Sequence, residues 1–306
     1  MSTVIVSASN DNFLPLAKGT WRSMIDLGLN RTFDLAWIDI GQAEVTSRWL
    51  ETEASPVRRV ALSSEVHEFV ERRARASYHR ALLLRPFLPS MFPEADVIIW
   101  IDSDIWIQEA ETIRLFESAV ISEPAAVAIS PILDVAYEPL LRRSEEFIMD
   151  NVLPVWEELY GAAEAREYQH RPLFSNGLFA IAGGSDIWGE WATEVDRLFG
   201  MVDTVAPKYV HVAEQAALTH LLYRSGRFTA LEAIHNFHAN IGELRRLPDG
   251  TVTTCPPASR RVGAVHLSDI ASHGRARMYW EAGLLYENGR DLSKREVEWL
   301  LNLRRS

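Results

Sequence analysis

The chain has 306 residues, 47% of them hydrophobic and 24% charged, which is the composition of a globular protein with a sizeable core. Its net charge of −11 argues against a nucleic-acid partner, because phosphate contacts need a surplus of Lys and Arg. The single cysteine, Cys255, excludes an intrachain disulfide framework and a cysteine-rich zinc site.

Strand and helix patterns alternate over the first hundred residues. Residues 4–8 form a short apolar strand candidate, and the spacing over 14–29 predicts a helix. Residues 35–40 and 57–62 are two further strand candidates, and the pattern over 65–88 is helical and strongly basic. This alternation favours a doubly wound, parallel sheet.

The fourth strand candidate, residues 97–101, runs directly into Asp102-Ser103-Asp104. An extended backbone places Asp102 and Asp104 on one face, at the sheet edge where open α/β proteins bind ligands. Two close anions repel unless a cation or a shared proton relieves them. We therefore predict a divalent-metal site that also holds a diphosphate, with capping of a following helix as the alternative.

The patterns continue without a repeat or linker that would divide the chain, so we expect one domain. The predicted elements are a strand over 125–129, a helical insertion over 134–172, a strand over 173–181, helices over 185–198 and 212–225, a hairpin turn over 247–252, a strand over 262–267 and a helix from 275 onwards. No stretch reaches the roughly 18 apolar residues of a membrane span, and Met1-Ser2-Thr3-Val4 lacks the basic region of a signal peptide. We expect a cytoplasmic protein, and no pattern indicates an oligomeric state.

The order of these motifs resembles the family-eight glycosyltransferases, which have the GT-A fold and use nucleotide-sugar donors. Asp102-Ser103-Asp104 matches their Asp-x-Asp metal motif, and Glu214-Gln215 falls where an Asp-Gln pair is usual. The other matching segments are the opening strand and loop (6–16), the basic Tyr78-His79-Arg80, the Ser175-Asn176-Gly177 strand and Val265-His266, in place of the C-terminal metal-binding histidine.

The resemblance implies a single Rossmann-like GT-A domain over 1–275, with a mostly parallel central sheet. The 134–172 insertion would lie near the acceptor side, and 276–306 would be a C-terminal helical extension. The implied activity is that of a metal-dependent hexosyltransferase, moving a sugar from a nucleotide-diphosphate donor, mainly a UDP-sugar, with retention of configuration. The acceptor would be a carbohydrate, a glycolipid or another small molecule.

The implied ligands for Mn²⁺ or Mg²⁺ are Asp102, Asp104 and His266. His273 competes with His266 for the third position, and the alternative for His266 is a hydrogen-bonded core histidine. In the family, a glycine follows shortly after the metal-binding histidine and a lysine comes next. In this chain the glycine comes later and the lysine is missing, so Arg275 is the candidate to replace the lysine at the diphosphate. The implied donor-binding residues are Ser7, Ala8, Asn10, Arg80, Asp102, Ser103 and Arg275.

Two of these donor residues have plain structural alternatives. An Asx turn explains Asn10 as well as a base contact does, and a solvated helix face explains Arg80. Asn176, Glu214 and Gln215 are the candidates nearest the anomeric carbon. Gln215 is a poor nucleophile, so we favour same-face attack with Gln215 orienting an oxocarbenium-like centre over covalent attack by Glu214. A polar first turn of a helix is the structural alternative for this pair.

Three other functions are considered. Two enzyme classes fit the sequence poorly, and the third requires that catalytic activity has been lost. A haloacid-dehalogenase-type phosphatase carries its aspartates near the first strand, and a nucleotidyltransferase needs a glycine-rich loop that residues 7–12 lack. A catalytically inactive binding or scaffolding protein that kept the fold is the third alternative, since fold alone does not fix function.

Overall fold

The computed structural model describes most of the chain. The described residues are 1–10, 13–40, 44–54, 56–74, 76, 78–137, 148–201, 207–239, 241–242, 244–255, 258–267, 286–287 and 290–291.

Helices and strands alternate as the sequence predicts over the first hundred residues. The strands are β1 (Thr3–Ser9), β2 (Asp34–Asp39), β3 (Val57–Ala61), β4 (Val97–Ile101), β5 (Ile105–Ile107), β6 (Val127–Pro131), β7 (Phe174–Ala182), β8 (Phe228–Ala230), β9 (Phe237–His238), β10 (Leu244–Arg246), β11 (Val252–Thr254), β12 (Ala264–His266), β13 (Tyr286–Glu287) and β14 (Arg290–Asp291). The α-helices are α1 (Leu14–Asp26), α2 (Glu44–Glu53), α3 (Ser64–Arg73), α4 (His79–Leu84), α5 (Leu88–Met91), α6 (Ala110–Ser122), α7 (Leu153–Tyr160), α8 (Ala162–Tyr168), α9 (Ile187–Gly200) and α10 (Pro207–Ser225). Short 3₁₀ turns cover Leu29–Arg31, Arg85–Phe87, Val135–Tyr137 and Ala233–Asn236, and a π-helical turn covers Ile148–Val152.

A seven-stranded sheet with the order β3-β2-β1-β4-β7-β6-β8 forms the centre of the fold. Four of its strand pairings are parallel, and β7 runs antiparallel to both of its neighbours, β4 and β6. This arrangement confirms the predicted α/β class with a mostly parallel sheet. Because β7 is antiparallel, its first residues lie at the same edge as the carboxyl ends of β1 and β4.

The central strand β4 is buried on both faces, which explains its uninterrupted apolar sequence. Ile98 and Trp100 pack into the cluster formed with α3, α4, α9 and α10. The alternate residues Val97, Ile99 and Ile101 pack into the cluster formed with α1, α2 and α6. The alternation holds β4 in one register, and its carboxyl end is therefore fixed in position.

A small three-stranded sheet with the order β5-β12-β9 stands beyond this end. Strand β12 pairs antiparallel with β5, with His266 opposite Ile105, and parallel with β9, with His266 beside His238. We call Asp102-Ser103-Asp104 the acidic turn. The strand that follows this turn, β5, pairs with β12 and so brings His266 to the turn, although more than 150 residues separate them in the chain.

Some predicted elements differ from the observed ones. The single basic helix predicted over 65–88 is divided into α3, α4 and a 3₁₀ turn. The helix predicted from residue 275 is wrong at β13 and β14, which form an antiparallel pair, and the rest of that segment lies outside the described residues. The hairpin turn at Asp249-Gly250 is confirmed between β10 and β11, with Gly250 at φ +89°.

The predicted insertion is helical where it is described. Its helical turns are Val135–Tyr137 and Ile148–Val152, followed by α7 and α8, and residues 138–147 lie outside the described part. In the described part of the chain, no helix has both the length and the apolar character needed to cross a membrane.

Candidate functional site

Asp102 and Asp104 lie in the turn that joins β4 to β5. The Asp102 amide donates to the Gly177 carbonyl at 2.7 Å, and the Leu267 amide donates to the Asp104 carbonyl at 3.0 Å. The turn is thus tied to β7 on one side and to the residue after β12 on the other. A strand follows the turn, and the next helix begins only at Ala110, so helix capping does not account for the two carboxylates.

The His266 ring faces both of these carboxylates. Its Nε2 atom lies 3.3 Å from Asp104 Oδ1 and 3.8 Å from Asp102 Oδ2. One ligand atom from each of the three side chains can be chosen so that all three lie within 4.8 Å of one another. Burial alone would lower the pKa of His266, but the carboxylates of Asp104 and Asp102 hold this pKa above its ordinary value.

Gly177 makes room for this arrangement. A Cβ atom at position 177 would lie 2.8 Å from His266 Nδ1 and 3.1 Å from Asp102 Oδ2, and it would also contact His266 Cε1. The Asn-Gly pair lies in a bulge of β7, because the adjacent β6 residues Ile129 and Ser130 pair with Phe179 and Ser175. Residues 176–178 therefore stand out of the β6 pairing, at the point where the strand meets the acidic turn.

The three side chains fit a divalent cation. Two carboxylates and an imidazole are a donor set that suits Mn²⁺, and the carboxylates also suit Mg²⁺. The glycine at position 177 keeps the space beside Asp102 Oδ2 and the His266 ring free of a side chain. The site is therefore chemically and sterically able to hold a metal ion.

A buried arginine that the sequence analysis missed lies next to Asp102. Arg85 is 1% exposed; its Nη2 donates to Asp102 Oδ1, and its Nη1 donates to Glu214 Oε2 at 2.9 Å. Trp100 Nε1 donates to the same Asp102 oxygen at 2.7 Å, and Asn176 Nδ2 donates to the same Glu214 oxygen. We call these five residues, Trp100, Asp102, Arg85, Glu214 and Asn176, the arginine cluster.

The signal for Arg85 was present in the sequence. It directly follows Leu82-Leu83-Leu84 and precedes Pro86, so it stands at a position where an apolar residue is expected. Charged residues are almost never fully buried unless they are paired, so such an arginine predicts buried carboxylate partners.

The arginine cluster perturbs the ionisation of both of its carboxyl groups. Burial raises the pKa of Asp102 and outweighs the opposing effect of Arg85. Burial raises the pKa of Glu214 to about 7, against the same opposing arginine. Burial lowers the pKa of Arg85, but the two carboxylates more than compensate, so the guanidinium stays charged.

Glu214 and Gln215 lie in the middle of α10 rather than in its first turn, so the first-turn alternative is wrong. Glu214 is buried, and its Oε1 has no hydrogen-bond partner among the described residues. Gln215 Nε2 donates to the Phe174 carbonyl at 2.7 Å. This bond uses one of the two N–H groups of the amide and ties the side chain to the first residue of β7.

Arg80 lies apart from the arginine cluster. Its guanidinium donates to the Ile40 carbonyl at 3.0 Å and pairs with Glu71 at 2.9 Å. Ile40 directly follows β2, so Arg80 is at the same edge of the sheet but on its β2 side.

The remaining donor candidates lie near the carboxyl end of β1. Ser7 and Ala8 are buried in β1, Asn10 is buried just after it, and Ser7 Oγ has no hydrogen-bond partner among the described residues. The Ser103 carbonyl accepts from Thr20 Oγ1 of α1 at 2.8 Å, which ties the acidic turn to the helix that follows β1. Arg275 and His273 lie outside the described residues.

No protein-family model matches the chain, and no curated protein matches it. Solved structures do. Galactosyltransferase LgtC in complex with donor and acceptor sugar analogs is 13% identical over 97% of this chain and 99% of that chain, with a TM-score of 0.56. An active-site mutant of LgtC is 14% identical over the same shares of the two chains, with a TM-score of 0.54. The bifunctional WbbM glycosyltransferase is 18% identical over 76% of this chain, with a TM-score of 0.51, and the match covers 39% of its own length.

The chain has the GT-A fold. The resemblance stated from the sequence is therefore confirmed at the level of the fold, and the Asp-x-Asp group lies at the end of the central strand. In this GT-A fold the acidic turn, the start of β7 and the middle of α10 meet at one edge of the sheet. What the site does depends on the side chains gathered there.

The close approach of Gly177 to His266 gives a stability prediction. Gly177→Ala forces the His266 ring or the acidic turn to move, and we expect it to lower the unfolding free energy by about 1–3 kcal/mol. Urea denaturation measures this loss. Gly184→Ala is the matched control, because a Cβ atom there meets nothing within 4 Å. Equal stabilities of the two variants would show that the site accommodates the methyl group.

The raised pKa of Glu214 gives a pH-dependent prediction. A carboxyl group whose pKa rises from 4.5 to about 7 on folding contributes stability below pH 4.5 and loses it as the pH rises through 7. In metal-free protein, we expect the unfolding free energy to fall by up to about 3 kcal/mol more between pH 5 and 8 in the wild type than in Glu214→Gln. Urea denaturation at several pH values measures the difference. Glu190→Gln, on the surface of α9, should keep the wild-type profile, and a Glu214→Gln profile parallel to the wild type would contradict the prediction.

Proposed function

We propose that this chain is a metal-dependent glycosyltransferase that moves a sugar from a nucleotide-diphosphate donor to a carbohydrate, glycolipid or other small acceptor. The observation that carries the proposal is the convergence of Asp102, Asp104 and His266 at the carboxyl edge of β4 in a GT-A fold. Ligands of open α/β sheets bind at this edge. The solved structures that share the fold carry glycosyltransferase names, which supports the same class of reaction.

The metal chemistry follows from the donor set. Asp102, Asp104 and His266 would hold Mn²⁺ or Mg²⁺, and the bound ion supplies a Lewis acid for the departing diphosphate. The imidazole favours Mn²⁺ over Mg²⁺, because Mg²⁺ prefers oxygen ligands. Without an ion, the close Asp102 and Asp104 carboxylates repel each other, which also favours cation binding.

The donor would extend from β1 to the acidic turn. We assign the base and ribose, a uridine by the family resemblance, to Ser7, Ala8 and Asn10. The buried Ser7 hydroxyl without a described partner supports a polar ligand there. Ser103 lies in the acidic turn itself, while Arg80 on the β2 side and Arg275 remain the proposed diphosphate or donor contacts.

The geometry of Glu214 favours same-face attack over covalent catalysis. Both Arg85 and Asn176 donate to Glu214 Oε2, and burial raises the Glu214 pKa to about 7. A carboxyl group that is half protonated near neutral pH and held by two donors is a weak nucleophile. We therefore propose a retaining hexosyl transfer in which Glu214 and Asn176 help to hold the sugar and Gln215 stabilises the oxocarbenium-like centre.

A phosphatase of the haloacid-dehalogenase type is not supported. Its aspartates belong near the first strand, whereas here they follow the fourth, and a short strand with Ile105 and Trp106 comes next. An inactive binding protein would share the fold and differ from an enzyme in the tests that follow.

The metal proposal predicts that Asp102→Ala and Asp104→Ala each reduce Mn²⁺-dependent hydrolysis of the donor by at least ~100-fold. Release of nucleoside diphosphate from a panel of UDP- and GDP-sugars, with and without Mn²⁺, measures the effect. Asp34→Ala is the control, since Asp34 pairs with Arg58 on the surface. Hydrolysis unchanged in both site variants would contradict the metal role, and donor binding without any turnover in the wild type would indicate a binding protein.

The role of Gln215 predicts a specific kinetic change. Gln215→Ala removes the amide oxygen that would face the reacting carbon, and we expect a loss of about 100-fold in kcat with nearly unchanged donor affinity. Steady-state kinetics and calorimetric titration of the donor separate the two quantities. Gln169→Ala is the control, since the Gln169 amide donates to the Arg166 carbonyl in an exposed part of α8. A loss of donor affinity with kcat unchanged would mean that Gln215 only binds the donor.

A further inference from the structure

A second buried histidine lies directly behind His266. The parallel pairing of β9 with β12 puts His238 beside His266, and the two ring centroids are 4.3 Å apart with their planes at 40°. Both side chains are buried in the described structure. The two rings are therefore in van der Waals contact, and the Nε2 atom of His266 faces the acidic turn.

Hydrogen bonds from two separate elements hold His238, and a residue of a third element supports one of them. Its Nε2 atom lies 2.6 Å from Ser175 Oγ of β7, and Asn236 Nδ2 donates to the same hydroxyl at 2.8 Å. The His238 backbone amide donates to the Tyr137 hydroxyl at 2.7 Å. Ser175 comes two residues before Gly177, so one short segment of β7 supports His238 and also makes room for His266.

In the described part of the chain, the His266 ring lacks the hydrogen-bonded support that a metal-binding histidine usually has. Its Nε2 faces Asp102 and Asp104, while its Nδ1 is buried and has no hydrogen-bond partner among the described residues. Histidine ligands normally donate this second N–H to a carboxylate, carbonyl or water, which fixes the ring. Here the ring orientation has to come from packing, and His238 supplies the ring that packs against it.

We propose that His238 is a positioning residue: held by the Ser175 hydroxyl, which Asn236 in turn supports, its ring sets the orientation of the His266 ring so that Nε2 faces Asp102 and Asp104. This inference rests on the proposed metal-dependent function. Among the described residues, His238 is not one of the side chains whose ligand atoms converge on the metal site, so we place its effect through His266. Replacing it should therefore weaken metal binding without removing a ligand.

Titration of the full-length protein with Mn²⁺ alone tests the inference, with calorimetry for the dissociation constant and electron paramagnetic resonance for the environment of the bound ion. We expect His238→Ala to raise the Mn²⁺ Kd by about 10-fold or more, the usual size of such outer-shell effects. His238→Phe retains a ring and should stay closer to the wild type. Ser175→Ala removes only the hydroxyl that holds His238, and it should also weaken binding and alter the Mn²⁺ spectrum.

His235→Ala is the matched control. His235 belongs to the same segment but bonds to Thr112 Oγ1 at 3.0 Å, so its loss should leave the Mn²⁺ Kd unchanged. Thermal unfolding of each metal-free variant separates loss of fold from loss of binding. If His238→Ala does not fold, His238→Phe and Ser175→Ala decide the question.

The failure of this inference can be told apart from failure of the proposed function. If the wild type binds Mn²⁺ and Asp104→Ala does not, but folded His238→Ala or Ser175→Ala binds like the wild type, the positioning role alone is overturned. If the wild type and Asp104→Ala bind Mn²⁺ equally, the metal site itself is wrong, and both proposals fall together.

Discussion

A buried guanidinium connects the central sheet to the helix that covers it. Arg85 donates to Asp102 at the end of β4 and to Glu214 in the middle of α10, and the face of Trp100 lies 4.9 Å from its central carbon. Removing one partner of a buried ion pair typically costs about 3–5 kcal/mol, because the other charge is left unpaired. The positions of the first aspartate and of α10 thus depend on the same cation.

Charge balance then limits what else the site can hold. Asp102 and Glu214 both bond to the charged Arg85, and Asp102 and Asp104 both face His266. Burial raises the pKa of both Asp102 and Glu214, so the folded chain resists carrying all three negative charges. A divalent cation between Asp104, Asp102 and His266 would relieve that repulsion.

The sequence was sufficient to predict the elements whose pattern is long and regular. The run of residues 97–101 predicts a buried strand because both of its faces are apolar, and the acidic pair follows from its end. His266 was predicted through family resemblance rather than periodicity, since β12 has only three residues and β9 two, too few for a pattern. Arg85 was missed because a basic residue on a helix usually points to solvent, and only the three-dimensional fold brings Asp102 and Glu214 to it. The glycine at 177, inside a strand pattern, was a sign of the bulge that the structure contains.

The bulge divides β7 into a part that packs in the hydrophobic core and a part that carries residues of the candidate site. Phe179 to Ala182 keep a strict alternation between the two hydrophobic clusters, and any slip there would turn apolar side chains outwards. Ser175, on the other side of the bulge, pairs with Ser130 of β6, and Asn176 lies within the bulge, so neither residue takes part in that alternation. Substitutions at the amino-terminal end of β7 can therefore change the side chains of the candidate site without disturbing the packing of the hydrophobic core.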